Sequence, residues 1–230
     1  EATEYNIRTL EAIHQTGVNS NLSVKLTQLG LDIDFDFCLD NMRRIVETAK
    51  RYNNFVRIDM EDSARCQATL DLLRELSKTY DNVGTVIQAY LYRAEQDVKD
   101  LKGVPLRLVK GAYKEPPEVA YQDKAEIDKN YMNLIQTHLL SGSYTAIATH
   151  DHHIIEQVKQ FTNEHGISKE QFEFQMLYGF RTDMQLQLAK EGYTMRIYVP
   201  FGNDWFGYFM RRLAERPQNV AFALKGFFGK

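Results

Sequence analysis

Tyr208-Phe209-Met210-Arg211-Arg212 sets two neighbouring guanidiniums on an aromatic-rich helical stretch near the end of the chain. Two such forks can grip one carboxylate from two directions, each bidentately. Tyr208 lies three and four positions before them and so shares their helix face. A ring above and two cations beside it suit a small acid with an apolar body. The bland alternative is a solvated basic helix end, which favours cations near a C-terminus in any case.

Other chemically capable groups fall at the ends of apolar runs. In Leu106-Arg107-Leu108-Val109-Lys110-Gly111-Ala112-Tyr113, Arg107 alternates with apolar neighbours and is expected to point inward. A lone cation there is costly, so it needs an anionic or strongly polar partner. Arg57-Ile58-Asp59-Met60-Glu61-Asp62 offers that partner in Asp59, with Glu61 and Asp62 read as helix N-terminal charges. Ser23-Val24-Lys25 turns Lys25 inward, as a Schiff-base lysine or as an ion-pair partner. Gln88 both donates and accepts, which suits the edge of a heteroaromatic ring. The run Lys110-Gly111-Ala112 lets backbone approach a ligand closely. Thr149-His150-Asp151-His152-His153 lacks helical metal-ligand spacing; His150 is expected to contact a ligand, His152 and His153 to lie exposed at a helix start.

The elements that must position these groups alternate. β-rich runs at Leu22–Leu26, Phe55–Met60, Thr85–Tyr90, Leu106–Gly111, Tyr144–His150, Phe172–Leu177 and Met195–Pro200 are separated by amphipathic stretches. Those stretches include Asn41–Tyr52 (Met42, Ile45, Val46 and Ala49 on one face), Cys66–Tyr80 (Leu70, Leu73, Leu76), Asp123–Leu140, Ile154–Glu164 and Arg181–Glu191 (Met184, Leu186, Leu188). Strand–helix alternation implies parallel strands joined by crossovers. No G-x-G-x-x-G or Walker loop follows a strand, which argues against an open nucleotide-binding sheet. Nearly every strand ends in a polar group (Lys25, Asp59, Gln88, Arg107, His150, Gln175, Tyr198), the way a closed (β/α)₈ TIM-type barrel assembles an active site. Seven strands are identifiable, one fewer than such a barrel needs. The chain opens with the helix-like Glu4–His14, so the expectation is one barrel domain over residues 1–230 that lacks its first strand and N-terminal helices.

With 230 residues, 43% of them hydrophobic, the chain can bury a sizeable core. Lys+Arg 28 against Asp+Glu 31 gives a net charge of -3 and no case for a nucleic-acid partner. No apolar run reaches the roughly 18 residues of a spanning helix. Cys38 and Cys66 form neither a metal spacing nor a disulfide framework and are read as buried, reduced thiols of a cytosolic-type protein.

Taken in order, Ser-Val-Lys25-Leu, Arg-Ile-Asp59-Met60-Glu, Val-Ile-Gln88-Ala-Tyr, Arg107-Leu-Val-Lys-Gly-Ala-Tyr113, Ala-Thr149-His150-Asp, Arg-Ile-Tyr198-Val-Pro-Phe-Gly and Tyr208-x-x-Arg211-Arg212-x-x-Glu215 closely resemble the proline dehydrogenase family, of the short monofunctional bacterial type. The motifs span nearly the whole chain, one per strand and then the last helix. The resemblance implies a distorted barrel binding FAD at its C-terminal mouth. It implies oxidation of L-proline to 1-pyrroline-5-carboxylate by hydride transfer, with a quinone as electron acceptor. A cytoplasmic protein with peripheral contact at the inner membrane is the expected location. Carried over residue by residue, Asp59 and Arg107 are the expected catalytic pair. Met60, Gln88, Arg107, Lys110, Gly111, Ala112, Thr149 and His150 are expected to contact FAD. Lys25, Tyr113, Tyr198, Tyr208, Arg211 and Arg212 are expected to bind the substrate, with Lys25 and Asp59 as a polar pair. Two rivals stand beside this reading: a methylenetetrahydrofolate-reductase-like flavin enzyme, and an engineered or truncated barrel scaffold without activity.

Overall fold

The computed structural model describes residues 1–202. Seven strands form one parallel sheet in strict sequence order: β1 Leu22–Lys25, β2 Val56–Asp59, β3 Val83–Gln88, β4 Leu106–Val109, β5 Thr145–Ala148, β6 Phe172–Leu177 and β7 Met195–Tyr198. The helices are α1 Ala2–Thr16, α2 Phe35–Arg51, α3 Ser63–Ser77, α4 Ala94–Asp100, α5 Lys124–Leu140, α6 His152–Glu164 and α7 Thr182–Lys190. Crossovers that always advance by one strand put the helices on a single side, the arrangement of a barrel rather than of a sheet with a switch point.

The sheet is strongly curled. Laid flat, β2 and β7 would stand five spacings apart, about 24 Å. Instead the Tyr198 hydroxyl on β7 reaches an Asp59 carboxylate oxygen on β2 at 3.0 Å. The expected TIM-type fold is thus present as seven strands around a common interior.

Four helices start at an aspartate whose carboxylate accepts a backbone N–H of the first turn: Asp34 from Phe37, Asp62 from Arg65, Asp123 from Ala125 and Glu126, and Asp151 from His153. The apolar stripes then face the sheet. Met42, Ile45, Val46 and Ala49 of α2 and Leu70, Leu73 and Leu76 of α3 are all buried, as their spacing requires. On α7 the expected stripe fails at Leu186, which is exposed while Leu188 is buried; residues two apart cannot share a helix face. Cys38 and Cys66 are buried free thiols, and burial pushes the Cys38 thiol up to about 12.

Candidate active site

Inward-facing polar residues recur at every second position of several strands: Ser23 and Lys25 on β1, Arg57 and Asp59 on β2, Glu173 and Gln175 on β6, Arg196 and Tyr198 on β7. On a strand this period places each pair on one face. Side-chain hydrogen bonds show that the face is the barrel interior. Arg107 is its hub. Its Nη1 donates to Asp59 Oδ1 at 2.6 Å, its Nε to Gln175 Oε1 at 2.7 Å and its Nη2 to Ser23 Oγ at 2.9 Å. Its guanidinium also lies over the Tyr198 ring, 5.3 Å from the centroid. One buried cation on β4 is thereby fixed by groups on β1, β2, β6 and β7.

The network runs deeper through Gln175, whose amide donates to Glu173 Oε1 at 2.5 Å. Glu173 also accepts from Arg196 Nε at 2.9 Å and from the Tyr144 hydroxyl at 2.9 Å. Burial alone would raise the Glu173 carboxyl, but Arg196, Gln175 and Tyr144 outweigh it and hold the group below its usual range. Arg57 sits one strand step beneath Asp59, with its Nη1 donating to the Thr85 carbonyl at 3.0 Å and the Pro105 carbonyl at 2.5 Å. Gly84 makes the room: a Cβ there would meet Pro105 O at 2.1 Å and Arg57 Nη1 at 2.9 Å. Burial, and then the charge of Arg107, pull the Arg57 guanidinium well below its usual value. Glu173, Arg196 and Tyr144 were not expected as part of an interior network, and Arg57 was expected only to share the face of Asp59. Period-two spacing with Asp59, Gln175 and Tyr198 was the available signal for Arg57, Glu173 and Arg196; Tyr144 precedes β5 and offered none.

Asp59 thus joins Arg107 and Tyr198, as a polar interior group should. The expected Lys25–Asp59 pair is not formed. Both Asp59 oxygens are engaged, Oδ1 by Arg107 and Oδ2 by Tyr198, and Lys25 has no ion pair among the described residues. Met60 is buried beside this group. Gln88 is buried too, donating to the Glu61 carbonyl at 2.9 Å and lying 3.4 Å from the Tyr90 hydroxyl. Glu61 serves the N-terminal turn not of the helix that follows it but of the short 3-10 helix Leu26–Leu29. Its carboxylate accepts from the Thr27 N–H at 3.1 Å and from the Thr27 hydroxyl at 2.8 Å.

The remaining candidates lie where β4 and β5 end. Lys110 Nζ pairs with Asp128 at 2.5 Å and Asp151 at 2.9 Å. Gly111 adopts φ 123°, and a Cβ there would strike the Tyr90 ring at 2.5 Å, so only glycine fits. Ala112 and Tyr113 follow, both exposed. Thr149 is buried and its hydroxyl accepts from the Asp151 N–H at 3.1 Å. His150 Nε2 accepts from the Leu177 N–H at 3.0 Å, and its ring leans on Phe180 at 5.6 Å. Tyr208, Arg211 and Arg212 lie outside the described residues. What the described part supplies is a dry, fixed cation at the barrel mouth, flanked by an amide, a small-residue backbone stretch and a lysine. That set suits an anionic, partly aromatic ligand.

Comparison with known proteins places the chain in a family. The proline dehydrogenase family profile matches residues 1–224. Proline dehydrogenase 2 of Bacillus subtilis (strain 168) is 54% identical over 232 residues, covering 100% of this chain and 77% of that protein. The proline dehydrogenase of Deinococcus radiodurans is 48% identical over 227 residues, covering 96% of this chain and 73% of that protein. Among solved structures, proline utilization A from Bdellovibrio bacteriovorus, inactivated by N-propargylglycine, superposes with a TM-score of 0.85 at 28% identity. That match covers 99% of this chain but only 29% of the much longer structure.

Proposed function

This chain belongs to the proline dehydrogenase family, an oxidoreductase family of the first step of proline catabolism, and from that premise we propose which of its residues carry out the oxidation of L-proline. The observation that carries the assignment is Arg107: a buried guanidinium at the barrel mouth, immobilised by Asp59, Gln175 and Ser23. A cation so held needs no reorganisation to favour negative charge developing beside it.

FAD is the cofactor that the donor set fits. Gln88 and Met60 would meet its ring system, together with Arg107. Lys110, the backbone at Gly111 and Ala112, Thr149 and His150 would hold the rest of the molecule. The absence of a Cβ at Gly111, enforced by Tyr90, keeps that stretch of backbone open to close approach. Bound FAD would supply the hydride acceptor. The chain's own part is orientation. Arg211 and Arg212 would grip the proline carboxylate, and Tyr113, Tyr198 and Tyr208 would wall the ring and exclude water. Asp59 holds Arg107 and Tyr198 in place, and Lys25 borders the same pocket. The proton released from the substrate amine passes to solvent. We further propose a quinone as the final electron acceptor, met by a cytoplasmic protein at the membrane surface. No helix among the described residues is long and apolar enough to cross a membrane.

The test is an anaerobic absorbance spectrum before and after L-proline is added. A flavin spectrum that bleaches with proline is the expected result. Flavin that stays oxidised with proline and bleaches with a nicotinamide would replace this reading with a reductase, and protein purified without flavin would remove FAD from it.

A further inference from the structure

The seam between β4 and β5 opens at its upper end, while the seams on either side of it continue. The β4–β5 register stops at Leu108↔Ile147. Beyond that point the chain after β3 stays paired to β4, with the Ala89 N–H donating to the Val109 carbonyl at 2.8 Å and the Tyr90 N–H to the Lys110 carbonyl at 2.9 Å. On the other side β5 stays tied to β6, with the Thr149 N–H donating to the Gln175 carbonyl at 3.1 Å. The result is a fork whose two arms carry Lys110–Gly111 and Thr149–His150.

Lys110 and Asp151 pair across the open end at 2.9 Å, and at the apex, among the described residues, stands a tyrosine. Tyr131 of α5 is fully buried, and its hydroxyl lies 2.9 Å from the Leu108 carbonyl and 3.0 Å from the Ala148 carbonyl, one on each arm. The hydroxyl has a single proton to donate, shared between the two carbonyls, and so ties one arm to the other. Its neighbours on α5 secure the same region. The Asn130 amide donates to the Ala89 carbonyl at 2.7 Å, and Asp128 pairs with Lys110. Three residues within one turn of α5 thus hold the upper ends of β3, β4 and β5.

We propose that Tyr131 is a positioning residue: its hydroxyl sets the width of the β4–β5 fork and, through it, the spacing of the two arms that hold FAD. This rests on the FAD reading above. Tyr131 itself is sealed beneath the fork, 0% exposed. Its action is through Lys110 and Gly111 on one arm and Thr149 and His150 on the other.

The experiment measures the dissociation constant of FAD for flavin-stripped protein, together with the melting temperature, in the wild type and three variants. Tyr131→Phe keeps the ring and removes the hydroxyl; it is expected to weaken FAD about tenfold, the scale of one buried hydrogen bond. Leu134→Ala, on the same helix and also buried, creates a cavity and is expected to lower the melting temperature at least as much while leaving FAD affinity within about twofold. Asn130→Ala frees the chain end after β3 without touching the hydroxyl and is expected to weaken FAD in the same direction; it serves if Tyr131→Phe does not fold. Unchanged affinity in Tyr131→Phe, or an equal loss in Leu134→Ala, overturns the proposal while the FAD reading stands. Wild-type protein that binds no FAD overturns both.

Discussion

The Tyr198 hydroxyl donates to Asp59 Oδ2 at 3.0 Å, joining residues 139 positions apart and strands five places apart in the sheet. The same carboxylate accepts from Arg107 through its other oxygen. One side-chain contact across the interior therefore reports both on the curl of the sheet and on the orientation of the site's cation.

Tyr198→Phe deletes that contact and keeps the ring over Arg107. A hydrogen bond to a charged group at this depth contributes about 1.5 kcal/mol. The expected result in urea titration is a loss of that size, accompanied by a several-fold rise in the proline KM. If neither stability nor KM moves, the hydroxyl does not bridge the strands in solution.

Arg107→Met removes the hub and leaves Asp59 buried with Tyr198 as its remaining side-chain hydrogen-bond partner among the described residues. Losing one oriented donor at a reacting centre typically costs about 3–4 kcal/mol of transition-state stabilisation. Stopped-flow reduction by proline should slow by a factor of about a hundred or more. Reduction at the wild-type rate would take Arg107 out of the site.

Arg211→Met and Arg212→Met test the carboxylate clamp, which rests on sequence alone. Each is expected to raise the proline KM about tenfold or more while flavin content stays constant. A variant that loses FAD and keeps its proline affinity would reassign the pair to the cofactor.

His138 gives the chain an acid-sensitive point away from the site. It is fully buried on α5, with Nδ1 2.8 Å from the Thr145 hydroxyl and Nε2 3.2 Å from the Val104 carbonyl. Burial lowers its folded-state value from 6.5 to about 4. The unfolded chain therefore takes up a proton before the folded one does. Stability is full above the unfolded value, falls as pH drops below it, and levels off once the folded value is passed. The loss over that window is on the order of 3 kcal/mol. Denaturant titrations at several pH values should show this slope, and His138→Gln should flatten it; an unchanged slope in the variant would place the acid sensitivity elsewhere.

The strands were readable because each is a short apolar run ending in a polar group, and all seven appear where the runs lie. Boundaries were less readable. The helix expected from Asn41 begins at Phe35, where Asp34 caps it; Phe35, Cys38, Leu39 and Met42 stand at helical spacing and were the signal for the earlier start. The helix Ala94–Asp100 went unread because seven residues hold too few turns for a pattern to stand out. Within the site, Asp59 and Arg107 could be paired from their inward placement. Choosing between Lys25 and Tyr198 as the second partner of Asp59 could not be done the same way. That choice depends on how far the sheet curls, and curl comes from packing across the interior. For the same reason Gln175, 68 positions from Arg107, could be placed at a strand end without its partner being known.

Arg57 and Gly84 carry a consequence for how sequences of this kind can drift. The guanidinium occupies the volume that a side chain at Gly84 would fill, and its N–H groups serve the carbonyls of Thr85 and Pro105. Enlarging residue 84 first drives a methyl group into a backbone oxygen and a buried cation. Shortening residue 57 first opens a void beside carbonyls that have lost their donor. Neither single step is easily tolerated, so a change at either position is expected to call for a matching change at the other.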